Sequence, residues 1–575
     1  MRKLNLQDLA FLQMETDDCP AHVAGLQIFQ LPESDDGAFV RDMMATFTSN
    51  NLPVTPPFNL RLHSDLLSLN VWPSWIEDDH FDLDFHVRYS ALPAPGTMDQ
   101  LMKLIQRLHA RLLDRTRPLW ECYFIEGLEG NRLAVYFKVH HACVDGVAAM
   151  AIMDRVLSRS PDKTKDRALW QVERQRRPQS EGDEPPAPSP MFDNIGAVFN
   201  QAKSVAELSN LLVKSSLGSL AGSKRAAPPP FTAPDTLFNR KITRHRRFAV
   251  RSFSLSRVKS IAKDLGVTLN DIVLALCSGA LRHYLKDHDA LPGKPLIASV
   301  PVSVRPKDAE QAGNQISMIA TTLATDEKNP ITRLRRINAS SAEAKEKLSQ
   351  LSPESAANYA LVMNSSILIS QALGIGEYVP QPSNLVVSNV PGPREDRYMM
   401  GAKLLHNYPL SVLIHGQALN ITVLSYGDQL DFGLLAAREA MPDLDKLSAY
   451  LDRACDELEI ADEHMLENQI DAARAKLAAR RAIKVKKTAP AKSKPKASAK
   501  PKKAAAKPKK PATKKTAKKA TAPTTPRKAT APTRSKLNGA TRTGAASAPQ
   551  KSATRKSSRR SKLDYGLISM GKPGE

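Results

Sequence analysis

From Arg481 to Leu563 the chain carries 28 Lys and Arg, nine Pro and no Asp or Glu. Such a stretch cannot bury enough apolar surface to offset the entropy of ordering it. It is expected to be disordered, so a fold must be built from what precedes it. The same break divides the charge. Of the formal net charge of +23 over 575 residues, the part from Asp471 onward supplies +29. Residues 1–470 hold 50 basic and 56 acidic side chains, or −6. A uniformly basic nucleic-acid-binding body is excluded; the polycation is an appendage.

Ahead of the tail, hydrophobic patterning gives two globular halves. Residues 1–157 mix strand and helix periods. Residues 132–141 (RLAVYFKVHH) place Leu133, Val135, Phe137 and Val139 at alternate positions, the period of a strand with one buried face. Residues 147–157 then read as a buried helix. Residues 158–231 form a polar, Pro-rich linker that includes an amphipathic helix over 195–213, apolar at three- and four-residue steps. That helix is expected to dock on the core or, alternatively, on a membrane surface. The second half, 232–460, opens with a helix stopped by Gly266 and another starting near Asn270, placed as an N-cap. Strands are expected over 296–305, 384–390 and 419–435, the last folding back at Gly427-Asp428 as a hairpin. A helical extension occupies 461–480 and the disordered tail 481–575.

Cys19, Cys122, Cys143, Cys277 and Cys455 are odd in number, widely spaced and contain no CxxC pair. This argues against a disulfide framework or a zinc site and fits a reducing, cytoplasmic compartment; no metal is expected. The N-terminus lacks an uninterrupted apolar core, and the longest uncharged stretch, 355–376, is broken by Asn, Ser and Gly. A soluble or membrane-surface protein is expected rather than an integral one.

Chemistry concentrates in His140-His141-Ala142-Cys143-Val144-Asp145-Gly146, at the junction of the predicted strand and helix. By strand parity His141 continues the buried series and points inward, whereas His140 joins Ala134, Tyr136 and Lys138 on the other face. His141 is therefore the candidate general base, since an imidazole of ordinary pKa, about 6.5, is largely neutral at pH 7 and can accept a hydroxyl proton. His140 takes a supporting hydrogen-bonding role. Asp145 fixes the loop or the imidazole, directly or through an arginine such as Arg305; capping the next helix is its competing role. Cys143 reads as a small buried apolar residue, not a nucleophile.

HHACVDG resembles the HHxxxDG motif of the bacterial wax ester synthase/acyl-CoA:diacylglycerol acyltransferase family. Further segments are similar in the same order: LAFLQMET near the N-terminus, residues 72–88, LDRTRPLWE with Pro118, Leu119 and Trp120, LNDIVLALCSGALRHYL with Asn270 and Asp271, PVSVR ending at Arg305, and SNVPGP. The resemblance spans residues 5–460. It implies a two-domain α/β (α+β) fold like that of chloramphenicol acetyltransferase, with the second motif histidine in a channel between the domains. Acyl-CoA would enter one side as substrate, with no cofactor, and diacylglycerol or a long-chain alcohol the other. Asn270 would be a polar support, with Gly146 and Asp271 beside the site, and Pro118–Trp120 would shape packing.

The basic tail lies outside that resemblance. A flexible polycation binds polyanions, whether the anionic surface of the inner membrane, a lipid droplet, or nucleic acid. The leading expectation is an O-acyltransferase making triacylglycerol and wax esters at a membrane surface or lipid inclusion. The alternatives are a non-catalytic scaffold tethering lipid inclusions to DNA, and a transferase of the same fold forming another ester or an amide.

Overall fold

The computed structural model describes residues 2–4, 6–33, 37–49, 53–63, 73–144, 146–162, 168–171, 227–229, 231–303, 316–350 and 381–488. The helix expected over 195–213, Asp145, Arg305, the stretch 355–376 and the tail from 489 lie outside the described residues.

Fifteen strands are described. The first half contributes β1 (Arg2–Lys3), β2 (His22–Gln30), β3 (Leu60–His63), β4 (Ser74–Glu77), β5 (Val87–Ala91), β6 (Trp120–Leu128) and β7 (Arg132–His140). The second contributes β8 (Arg246–Ser254), β9 (Ile297–Ser303), β10 (Ile316–Thr322), β11 (Leu385–Pro391), β12 (Tyr398–Met399), β13 (Ala402–Leu410), β14 (Leu419–Tyr426) and β15 (Gln429–Ala437). They form one six-stranded sheet in the order β12-β13-β2-β7-β6-β5, a second in the order β10-β9-β11-β14-β15-β8, and a small sheet β1-β4-β3.

Among the described strands, one segment crosses the sequence boundary between the halves. Residues 398–410 belong to the second half by position, yet β13 pairs with β2 from Lys403↔Gln30 to Leu410↔Ala24. The expected hairpin is present as β14 and β15, joined at the Gly-Asp turn. Helix Leu255–Asp264 stops where Gly266 takes a positive φ of 66°, a conformation glycine adopts without a Cβ penalty.

Two expectations about helices are corrected. The N-cap of helix Leu269–Asp287 is Thr268, not Asn270: Thr268 accepts from the Asp271 N–H while the Asp271 carboxylate accepts from the Thr268 N–H, a reciprocal capping box. The extension over 461–480 is part of one helix, Leu444–Thr488, which begins inside the second half and continues beyond Arg481. Its first turns bury Leu447, Leu451, Ala454, Cys455 and Leu458 in the second core, at the spacing of one helix face.

Strand β7 is covered on both faces, not one. Leu133, Val135 and Val139 join the cluster under helices Phe39–Thr48 and Gly146–Val156. Ala134 and Tyr136 join the cluster under helix Met98–His109. Lys138 is fully buried, its ammonium held by Glu121 Oε2 at 3.1 Å and by the carbonyls of Leu108 at 3.3 Å and Arg111 at 3.1 Å. A cation there neutralises the carbonyl end of helix Met98–His109. No single helix among the described residues is long and apolar enough to cross a membrane.

Candidate active site

The strand delivers its last residue, His140, into the interior, and the chain then turns. The Cys143 N–H bonds the His140 carbonyl at 2.9 Å, so residues past His140 no longer follow strand parity. This reverses the expected orientation. His140 is fully buried, whereas His141 is half-buried. A ring beyond the end of a buried strand can face both protein and substrate; one inside it cannot.

His140 is a neutral support. Its Nδ1 accepts from the Ala142 N–H at 3.1 Å, which places the ring proton on Nε2, 3.5 Å from Glu15 Oε1. Burial, aided by the positive charge of Arg115, pushes its pKa down to about 3. The neutral ring thus holds the turn without carrying charge at neutral pH.

His141 is held by its main chain and by its ring face. Its N–H donates to the Ala21 carbonyl at 3.0 Å. Its imidazole lies parallel to the Phe11 ring, with centroids 4.0 Å apart and planes 10° from parallel. Phe11 sits on helix Leu6–Met14. Directly after that helix, Glu15 Oε1 accepts from the Ala21 N–H at 3.1 Å and Glu15 Oε2 pairs with Arg115 at 3.0 Å. Arg115 Nη2 also donates to the Leu12 carbonyl at 2.7 Å.

Pro118, Leu119 and Trp120 lead into β6 and are buried. The Leu119 carbonyl accepts from the His140 N–H at 2.9 Å, so this segment is hydrogen-bonded to the motif itself. Trp120 donates its indole N–H to the Phe58 carbonyl at 2.8 Å and stacks on His86 at 4.6 Å and Trp170 at 5.3 Å. Burial lowers the pKa of the enclosed His86. These residues form an apolar wall in which the Trp120 indole N–H is satisfied inward by the Phe58 carbonyl.

Asp271 is committed to structure: it accepts from Thr268, from Asn338 Nδ2 at 2.9 Å and from Ser341 Oγ at 2.9 Å, tying two helices together. Burial alone would raise its pKa, but these donors outweigh it and hold the carboxyl below its ordinary value. Neighbouring Asn270 is half-buried, and its Nδ2 is a buried donor without an acceptor among the described residues. Gly146 is exposed at the start of helix Gly146–Val156. Cys143 is half-buried against two apolar clusters, and all five cysteines are free thiols. Among the described residues, no group of three or more His, Cys, Asp or Glu is placed to hold a metal ion.

The second half reaches the helix that follows the motif. A Cβ on Gly392, within SNVPGP, would lie 2.4 Å from the Ser425 carbonyl oxygen, so only glycine lets this segment lie so close to β14, and it would lie 3.3 Å from Met150 Cε of that helix. Arg397 pairs with Asp154 at 2.5 Å. Sequence reading missed Phe11, Glu15 and Arg115 as members of the site. The partners Glu15 and Arg115 lie 100 residues apart, and no local pattern connects them.

A family model described as the wax ester synthase/diacylglycerol acyltransferase catalytic domain matches residues 4–273, and the corresponding C-terminal domain model matches 312–459. The O-acyltransferase WSD of Acinetobacter baylyi is 40% identical over 463 residues, covering 79% of this chain and 96% of that protein. A putative diacylglycerol O-acyltransferase of Mycobacterium bovis is also 40% identical, over 458 residues, covering 79% of this chain and 98% of that one. The solved wax ester synthase/diacylglycerol acyltransferase from Marinobacter aquaeolei VT8 aligns with a TM-score of 0.65 at 35% identity, over 80% of this chain and 100% of that one.

Proposed function

The chain belongs to the wax ester synthase/diacylglycerol acyltransferase family and is an acyl-CoA-dependent O-acyltransferase; we propose that it esterifies diacylglycerol and/or a long-chain alcohol with His141 as general base. The observation that carries this reading is the seat of the His141 ring. It is half-buried at the end of a central strand, with one face covered by Phe11 and its main chain fixed to Ala21.

In the proposed reaction a neutral His141 nitrogen takes the proton of the acceptor hydroxyl as its oxygen attacks the thioester carbonyl. The tetrahedral oxyanion collapses, the carbon–sulfur bond breaks, and the leaving thiolate takes the proton from the imidazolium. No covalent acyl-enzyme and no cofactor enter this scheme; holding both substrates together supplies much of the rate. His140 supports the turn, and Asp145, by its place in the motif, orients it, with Arg305 as its candidate partner. Asn270, with its unpaired donor, is a polar support for the reacting groups. The scaffold alternative is disfavoured by a family match that includes the catalytic domain.

The basic tail, in this proposal, holds the enzyme to an anionic membrane or nascent lipid droplet, where both acceptors reside. Each Lys or Arg near such a surface contributes about 1 kcal/mol. Nucleic acid is the competing ligand.

The test gives the purified full chain palmitoyl-CoA with either hexadecanol or dioleoylglycerol, following free thiol and separating the lipid products. Neutral lipid should form with at least one acceptor. His141→Ala should abolish it while leaving the unfolding transition in place. Turnover retained by that variant removes His141 as the base, and no product with either acceptor removes the acceptor assignment.

A further inference from the structure

We infer that Phe11, anchored through the buried Glu15 carboxylate and its partner Arg115, is a positioning residue that sets the orientation of the His141 imidazole. The inference rests on the reading of His141 as the base. Past the end of β7 that ring hangs from a turn, and two side-chain torsions separate it from the backbone. The near-parallel contact at 4.0 Å covers one of its faces, so the imidazole cannot swing out of plane without losing the overlap.

Glu15 links the parts that would otherwise move separately. Its side chain is 2% exposed, a burial that a carboxylate tolerates only when paired and hydrogen-bonded. Both requirements are met by groups that lead back to the imidazole. Oε1 holds the N–H of Ala21, and the carbonyl of Ala21 holds the N–H of His141. The same Oε1 faces His140 Nε2 at 3.5 Å. On the other oxygen, Arg115 bonds Glu15 and also the carbonyl of Leu12, one residue beyond Phe11. One carboxylate therefore fixes the main chain under the base and, through Arg115, the end of the helix that carries the covering ring.

Simple core packing is the competing explanation, since Phe11 also packs against an apolar cluster that includes Leu12, Trp75 and Leu119. A packing role predicts a loss of stability. A positioning role predicts a loss of turnover at unchanged substrate affinity, because a displacement of about 1 Å at a reacting group can cost roughly 100-fold in rate.

The experiment measures kcat, the KM values for palmitoyl-CoA and acceptor, and the unfolding midpoint of the full chain and its variants. Phe11→Leu should lower kcat by roughly 10- to 100-fold with KM changed by less than about twofold. Phe11→Tyr, which keeps the ring, should restore kcat. Glu15→Gln should lower kcat in the same sense, and the double variant F11L/E15Q should be no worse than the poorer single, since both act through one ring. Wild-type kcat in Phe11→Leu overturns the proposal, as does a loss that Tyr does not rescue or strictly multiplicative losses in the double variant. Should Phe11→Leu fail to fold, an unchanged kcat in Glu15→Gln overturns it. His141→Ala separates the two levels. Turnover in that variant sinks the base itself, whereas an inactive His141→Ala beside an unimpaired Phe11→Leu sinks only the positioning role.

Discussion

Lowering the pH from 7 to 5 should destabilise this protein through histidines that take no part in the proposed chemistry. His22, His109 and His140 are each buried around the inner end of β7. Burial disfavours their charged forms; for His22 the nearby His109 and Lys138 add to it, and for His109 the charges of Arg246 and Lys138 do. His109 and His140 are pushed down to about 3, and His22 well below its ordinary value. In the unfolded chain the same rings take up protons near pH 6.5. Between about 6.5 and 3 the unfolded state therefore binds more protons than the folded one, and stability falls as the pH falls. At pH 5 His109 and His140 account for about 2 kcal/mol each, so the two together remove about 4 kcal/mol, with His22 acting in the same direction, against a typical total of about 5–15 kcal/mol. Asp271 and Asp443, whose carboxyls are held below their ordinary values, lose their contributions only nearer pH 4 and do not mask this. The assay is the urea midpoint, followed by tryptophan fluorescence, at pH 7, 6 and 5. His109→Gln should reduce the slope of midpoint against pH. A midpoint that stays level or rises on going from pH 7 to 5 would refute the reasoning.

Two further outcomes follow from buried charge and from the tail. Glu121→Gln leaves the fully buried Lys138 without its counter-charge and should destabilise by about 3–5 kcal/mol, read as a urea midpoint, while the pair E121Q/K138M should recover part of the loss; a neutral single variant would contradict the assignment. Ending the chain after Thr488, at the end of the long helix, should leave turnover on detergent-dispersed substrate intact and abolish salt-sensitive binding to anionic vesicles. Loss of binding to DNA with vesicle binding unchanged would reassign the tail to nucleic acid.

The strand–turn–helix around the motif, the stop at Gly266 and the hairpin of β14 and β15 were legible because each is decided within a few residues. The relative burial of the two histidines was not. Strand parity supposes one wet face, and β7 lies between β2 and β6 with helices packed on both sides. Lys138 looks like a surface residue in any local window; its burial depends on Glu121 and on two carbonyls some thirty residues back. Asn270 was mistaken for the cap because the chemistry of Asn and Thr at a helix start is nearly equivalent. The choice fell to Thr268 because Asp271 stands three residues after it and completes the reciprocal pair. Strand β13 could be recognised as a strand, but its choice of the first half's sheet is a long-range decision with no local signature.

That crossing explains how the motif's turn in one half can depend on the other. Asn407 in β13 donates its N–H to Asp431 Oδ2 at 2.7 Å, and Asp431 in β15 also receives Ser252 Oγ at 2.6 Å and His406 Nδ1 at 3.0 Å. Serine, histidine and aspartate together suggest a nucleophilic set, but the geometry denies it. The hydroxyl and the ring meet the same carboxylate oxygen, so the imidazole does not stand between serine and aspartate as a relay requires. Asp431 is fully buried and joins β8, β13 and β15 across the two sheets. From the strand so anchored, Asn407 Nδ2 reaches Met153 Sδ at 3.2 Å, and Arg397 just upstream pairs with Asp154 on the same helix. The helix after the motif is therefore gripped by second-half residues while the turn before it is gripped by helix Leu6–Met14 and the Leu119 carbonyl. With one end of the motif held by first-half residues and the other by second-half residues, the registry between the halves sets the position of His141, and neither half alone is expected to place it.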